Sequence, residues 1–256
     1  MTTKQIQYKW SEFICANVAS YLDKEEGDNL RLCCGSVIVK EERDGCTYKN
    51  GALHSYNDEP AVKTLYQQVW YKDGLIHRDN GPSIVNIAYE QWFKNGKRHR
   101  DNGLPAVFSK KNGTFEWWYN GKRHRENDLP AYINGQIQEW YKNGKRHREH
   151  DKPAIIREGI SEEWWIDDKC HREGDQPAVI NYVSGIDEWW VNGVRHREND
   201  NAAVVSKDGK SAWWYVDGKL HREGDLPSII YSDNNVIRQQ WYKYGISYRS
   251  CVKKLI

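Results

Sequence analysis

Beyond residue 46 apolar and polar positions recur in blocks. Each block holds two adjacent aromatic positions, a turn step such as Asn-Gly, a basic run around His-Arg, an acidic stretch, a Pro-Ala step and a few β-branched residues. The period is marked by His54, His77, His99, His124, His147, His171, His196 and His221, which stand 22–25 residues apart. Seven residues before each His lies Trp70, Trp92, Trp117, Trp140, Trp164, Trp189 or Trp214, with Thr47 instead in the first block. The next position is always aromatic: Tyr48, Tyr71, Phe93, Trp118, Tyr141, Trp165, Trp190 and Tyr215. A degenerate ninth block, 241–249, starts with Trp241-Tyr242 and has Tyr248 where the His would stand.

Asn95-Gly96, Asn120-Gly121, Asn143-Gly144, Asn192-Gly193 and Asp217-Gly218 are hairpin turns by sequence, because both central residues of the favoured tight turn need positive φ. A second turn falls between blocks, at Asn112-Gly113, Asn134-Gly135, Ser184-Gly185 and Asp208-Gly209. Two turns per block predict two antiparallel strands per block, the second bent or interrupted at the proline, which has no N–H to donate. No helical period appears after residue 46. Strands about 4.8 Å apart advance roughly 10 Å per block and about 80 Å over eight blocks.

The expected fold is therefore mainly β: an elongated open antiparallel β-hairpin repeat sheet, solenoid-like, over 46–256. Neighbouring residues on a strand face opposite ways, so the two aromatic ladders cannot share a side. One forms the core seam. The other packs beneath the Pro-Ala segment or lies open as a binding strip. Trp70, Trp92, Trp117, Trp140, Trp164, Trp189, Trp214 and Trp241 are the candidate partner-binding ladder.

Residues 1–45 differ. Trp10, Phe13, Ile14, Val18, Tyr21 and Leu22 recur at helical intervals, which predicts a short N-terminal helical cap for the first sheet edge. Residues 36–39 then read as a strand entering the sheet.

Composition narrows the function classes. Lys+Arg 38 against Asp+Glu 36 leaves a net charge of +2, which excludes a strongly basic nucleic-acid binder. The chain is polar, yet its 13 Trp and 16 Tyr supply enough burial for a thin ordered core. Cysteines 15, 33, 34, 46, 170 and 251 follow no regular spacing, so free thiols in a reducing compartment are expected. The first residues lack the apolar run of a signal peptide, and no apolar run approaches the ~18 residues of a membrane-spanning helix. An intracellular, non-secreted protein is expected.

The polar ladders have structural readings. Histidines in neighbouring blocks sit about 10 Å apart, too far to share a metal whose ligands lie ~2.0–2.3 Å from it. The arginines that follow most of the histidines are expected to meet carboxylates from neighbouring strands, such as Asp128, Asp151, Asp175, Asp200 or Asp225. Arg-His-Arg triplets are flanked by acids that blunt any anion-binding field. A catalytic centre needs one distinct arrangement of groups, and a repeat supplies equivalent copies. No enzyme, cofactor or metal site is expected.

The W-x-x-N-G-K-x-H pattern, carried across residues 70–249, resembles the MORN (membrane occupation and recognition nexus) repeat. That resemblance implies an antiparallel hairpin array serving as scaffold, dimer-forming rod or membrane tether. Arg78, Arg100, Arg125, Arg148, Arg172, Arg197, Arg222 and Arg249 depart from the Gly usual after the His. The resulting H-R-x-x-x-x-P-A variant resembles degenerate repeats of large DNA viruses and some bacteria. The N-terminal segment resembles an F-box: an amphipathic helix ending in S-Y-L-D, a charged loop and an L-x-L-x-C helix, without the leading Leu-Pro. It implies docking on a Skp1-type adaptor through Trp10, Ile14, Val18, Tyr21 and Leu22, making the chain a substrate receptor of a ubiquitin ligase. A protein partner along the repeats is the first expectation. A homodimer through the apolar last segment (Val252, Leu255, Ile256) and an anionic lipid surface are further ones.

Overall fold

The computed structural model describes residues 30–33, 36–43, 45–233 and 235–254. The expected cap helix and the adaptor-docking residues Trp10, Ile14, Val18, Tyr21 and Leu22 lie outside them, as do Leu255 and Ile256. Chain contacts divide the protein into two compact units, one up to His99 and one from Arg100.

In the first unit, Leu30–Cys33 pairs with Ser36–Arg43, which pairs with Cys46–Lys49. Cys46 in turn faces Val62, and Gln67–Val69, Ile84–Asn86 and Tyr89–Gln91 continue the sheet. The strand expected at 36–39 is present and longer. Leu30–Cys33 is also a strand, where the F-box resemblance implied a helix.

The second unit is an antiparallel meander. Val107–Ser109 pairs with Thr114–Glu116, and pairing continues strand by strand through Tyr132–Asn134, Ile137–Glu139, Ile155–Arg157, Ser161–Glu163, Val179–Asn181 and Ile186–Glu188. It then runs through Val204–Ser206, Ser211–Trp213, Ile229–Asp233 and Val236–Lys243 to Ile246–Lys254. All of these pairings are antiparallel.

One expectation needs correction: a complete block holds four short strands rather than two. Thr114–Glu116 lies in the sheet, the chain breaks at Trp117, and Trp118–Tyr119 pairs with Lys122–Arg123 in a separate small hairpin. The break has a cause. The Trp117 N–H leaves the hairpin direction to reach the Ala131 carbonyl, while its own carbonyl accepts from His124 N–H. Trp140, Trp164 and Trp189 repeat this with Ala154, Ala178 and Ala203. The turn at the tip of each small hairpin is as expected, with Asn143 at φ 52° and Gly144 at φ 90°. A Cβ at Gly144 would touch the Lys122 side chain at 3.4 Å, and the positive φ alone would strain it.

The core is a thin seam of large and small residues. Trp70, Trp117, Trp140, Trp164 and Trp241 are buried, and against them lie the alanines of the Pro-Ala steps. Ala61, Ala106, Ala131, Ala154, Ala178 and Ala203 are wholly buried, as are Ser83 and Ser228 where serine replaces alanine. Trp117 clusters with Ala131 and Tyr141; Trp164 clusters with Cys170 and Ala178. Only a small side chain fits beneath an indole at this spacing, which explains the Pro-Ala step better than strand termination does.

Candidate interaction surface

Trp70, Trp117, Trp140, Trp164, Trp189, Trp214 and Trp241 of the first ladder are each held from two sides. The Trp140 indole Nε1–H donates to the Asp128 carbonyl of the preceding block at 3.0 Å. The Arg148 guanidinium covers the ring face at 3.8 Å from its centre. Arg148 also donates from Nε and NH2 to both carboxylate oxygens of Asp128, at 2.7 and 3.1 Å, and from NH1 to the Pro153 carbonyl at 3.1 Å. Cation–π contact and charge-assisted bonds thus converge on one guanidinium, whose flat fork suits both.

The same knot recurs with Arg172, Trp164 and Asp151, with Arg197, Trp189 and Asp175, and with Arg222, Trp214 and Asp200. In the first unit Arg78, Trp70 and Asp58 build it. The expected pairing of Arg with a neighbouring carboxylate is therefore present, with Asp128, Asp151, Asp175 and Asp200 as partners, and with Asp225 held by Arg249 at 3.1 Å. Arg148 holds the Asp128 carboxyl down at about 2, against burial that pushes it up, with Lys152 adding to the pull. Hydrogen bonds from their arginines likewise lower Asp58, Asp151 and Asp175.

These contacts cover rings of the ladder expected as a partner-binding strip. Trp70, Trp117, Trp140, Trp164 and Trp241 are buried, and Trp189 and Trp214 are half-buried beneath Arg197 and Arg222. Trp92 is also half-buried. The first ladder is the structural seam.

The histidines bridge successive blocks. The Nδ1 of His124 accepts the Asn143 backbone N–H at 3.2 Å, and its Nε2 lies 2.7 Å from Glu126. His171 does the same with Asn192 and Glu173, and His196 with Asp217 and Glu198. In each of these three rings both nitrogens are in use, Nδ1 toward the next block's backbone and Nε2 toward the glutamate two residues on. Among the described residues no cluster of three His, Cys, Asp or Glu is arranged to hold a metal ion.

The second aromatic ladder forms a half-exposed ribbon. In the second unit Trp118, Trp165 and Trp190 donate from Nε1 to Glu116, Glu163 and Glu188, two residues earlier, at 2.7, 3.0 and 2.8 Å. Tyr141 donates its hydroxyl to Glu139 at 2.6 Å. Arginines sit between the rings of successive blocks. Arg123 lies 5.2 Å from Trp118 and 5.4 Å from Tyr141, Arg146 lies 5.8 Å from Tyr141 and 5.4 Å from Trp165, and Arg195 lies 5.0 Å from Trp190 and 5.5 Å from Tyr215. Burial acts against the Arg123 charge, but Glu116 and Tyr141 outweigh it and leave its pKa raised. Tyr141 is buried, whereas Trp118, Trp165, Trp190 and Tyr215 keep part of their surface in solvent.

The ribbon arginines and glutamates were missed as site residues. Their signal was present: Glu stands just before the Trp, and Arg just before the His, in several blocks.

Compared with known proteins, the chain matches no family model and no curated protein.

Proposed function

We propose that the protein is a non-enzymatic repeat scaffold of MORN-like hairpins that binds a protein partner along the Arg–aromatic ribbon. The observation that carries this reading is the state of the second ladder. Trp118, Trp165, Trp190 and Tyr215 are partly exposed, with arginines stacked between rings and indoles bonded to glutamates. Rigid aromatic and arginine side chains are what the energetic centres of protein interfaces use, because little rotamer freedom is lost on binding. Equivalent copies of each block recur where an enzyme needs one distinct site.

Affinity capture from cell extract, with the wild-type chain beside a Trp165→Ala/Trp190→Ala variant of unchanged circular dichroism, tests the reading. A partner recovered by the wild type and lost from the variant supports it. A partner set unaffected by the two substitutions contradicts it.

A second copy of the chain is the alternative partner. Strand Ile246–Lys254 pairs with Val236–Lys243 on one side and exposes Ile246, Tyr248 and Val252. An exposed strand of this length can add a further strand by backbone hydrogen bonds. A mass that stays monomeric by light scattering across a wide concentration range removes this alternative.

A further inference from the structure

Arg125 departs from the pattern of its equivalents. It covers the Trp117 ring at 3.7 Å and donates from NH1 to the Pro130 carbonyl at 3.1 Å, as the other knots do. The Trp117 indole reaches back to the Gly103 carbonyl at 2.8 Å, as Trp140 reaches Asp128. The backbone agrees too, with φ 66° at Gly103 beside 54°, 50°, 52° and 54° at Asp128, Asp151, Asp175 and Asp200. What differs is the side chain. Gly103 stands where those aspartates stand, and among the described residues no carboxylate lies within ion-pair distance of Arg125. Burial lowers the pKa of this guanidinium, and no acid opposes it.

The space over Gly103 is open. A Cβ built there meets nothing within 4 Å. The aspartates that fill the same place elsewhere are 38–59% exposed, so the position is reached from solvent. The frame that grips a carboxylate with two bonds in the neighbouring knots is thus complete at Arg125 except for the carboxylate itself.

We propose that the notch over Gly103 binds a carboxylate from outside the chain, an aspartate or glutamate side chain of a bound polypeptide, held by Nε and NH2 of Arg125. Two features favour this ligand over a phosphate. One guanidinium supplies one positive charge, which matches a carboxylate and leaves a dianion half-neutralised. At the next knot Lys152 adds a second cation to Asp128 at 2.7 Å, but its counterpart beside Arg125 is Leu129. Leu104 and Leu129, 47% and 44% exposed, give the notch an apolar rim suited to a peptide. This site lies on the tryptophan seam and does not depend on the ribbon reading.

The test is a titration of the full chain with N-acetyl-aspartate N-methylamide, followed through the Arg Nε–H NMR resonances at constant ionic strength, with inorganic phosphate as comparison. Loss of one resonance in Arg125→Lys identifies the Arg125 signal. The expected result is a saturable shift of that signal, with binding weaker by about tenfold or more in Gly103→Asp, where an internal carboxylate takes the place. Gly103→Asn fills the same space on the same backbone and is expected to weaken binding in the same direction if the aspartate variant fails to fold. A shift that does not saturate, an equal response in a folded Gly103 variant, or phosphate binding as tightly as the aspartate probe overturns the assignment.

Discussion

Arg148 lies 3.8 Å above the centre of the Trp140 ring while the same guanidinium holds both carboxylate oxygens of Asp128. The three residues come from two successive blocks, so the contact that covers the indole also joins the blocks. Repeat proteins draw their stability from such nearest-neighbour interfaces. The same contacts cover rings of the first ladder, whereas Trp118, Trp165, Trp190 and Tyr215 of the second keep part of their surface in solvent.

The two ladders are expected to respond differently to truncation. Trp164 is buried against Ala178 and Cys170, and Trp164→Ala is expected to lower stability by about 3–5 kcal/mol. Trp165 is half-buried, and Trp165→Ala is expected to cost about 1–2 kcal/mol. Urea denaturation of both variants measures the difference, and equal losses count against the assignment of seam and ribbon.

Stability is expected to fall in acid. Asp128 is held at about 2, below its usual 3.8, so the unfolded chain binds more protons between those values. Its contribution is therefore full above about pH 3.8 and is lost as the pH falls through about 2. Asp58, Asp151 and Asp175 shift in the same direction. His54 adds the same sign at higher pH: burial lowers it against the pull of Asp73, so its contribution is full above 6.5 and fades below. Asp128→Asn, with a side chain that tolerates positive φ and does not titrate, is expected to flatten the acid limb in thermal melts taken from pH 2 to 5.

Cys170 is expected to resist alkylation. Burial pushes its thiol up to about 12, with Glu163 and Glu188 adding to the effect, so almost no thiolate forms at neutral pH. Cys251 is half-buried. Iodoacetamide labelling read by mass spectrometry is expected to modify Cys251 in the folded protein and Cys170 only in denaturant. Labelling of Cys170 at the rate of Cys251 contradicts the burial.

Much of the fold was legible because turn chemistry is local. Asn-Gly and Asp-Gly steps such as Asn143-Gly144 force the hairpins wherever they stand, and the partners of Arg148 and Arg172 followed from adjacent residues facing opposite ways. The ladders were harder to place. Strand alternation separates Trp164 from Trp165 but does not say which is buried; Trp164 lies in a buried cluster with Ala178, fourteen residues later, while Trp165 packs against that cluster only partly buried. The split of each block into four strands was hidden for a similar reason, since the Trp117 N–H turns to a carbonyl contributed by Ala131. Gly103 could be found by aligning the blocks, but a glycine in an acidic loop stands out only once Asp128 is seen gripped by Arg148.

A double-mutant cycle on Arg148→Gln and Asp128→Asn, read by urea denaturation, tests the central claim that these knots join the blocks. The predicted coupling is about 1 kcal/mol, discounted from the ~1.5–3 of a charge-assisted bond because Asp128 is 38% exposed. Additive losses from the two substitutions would contradict it.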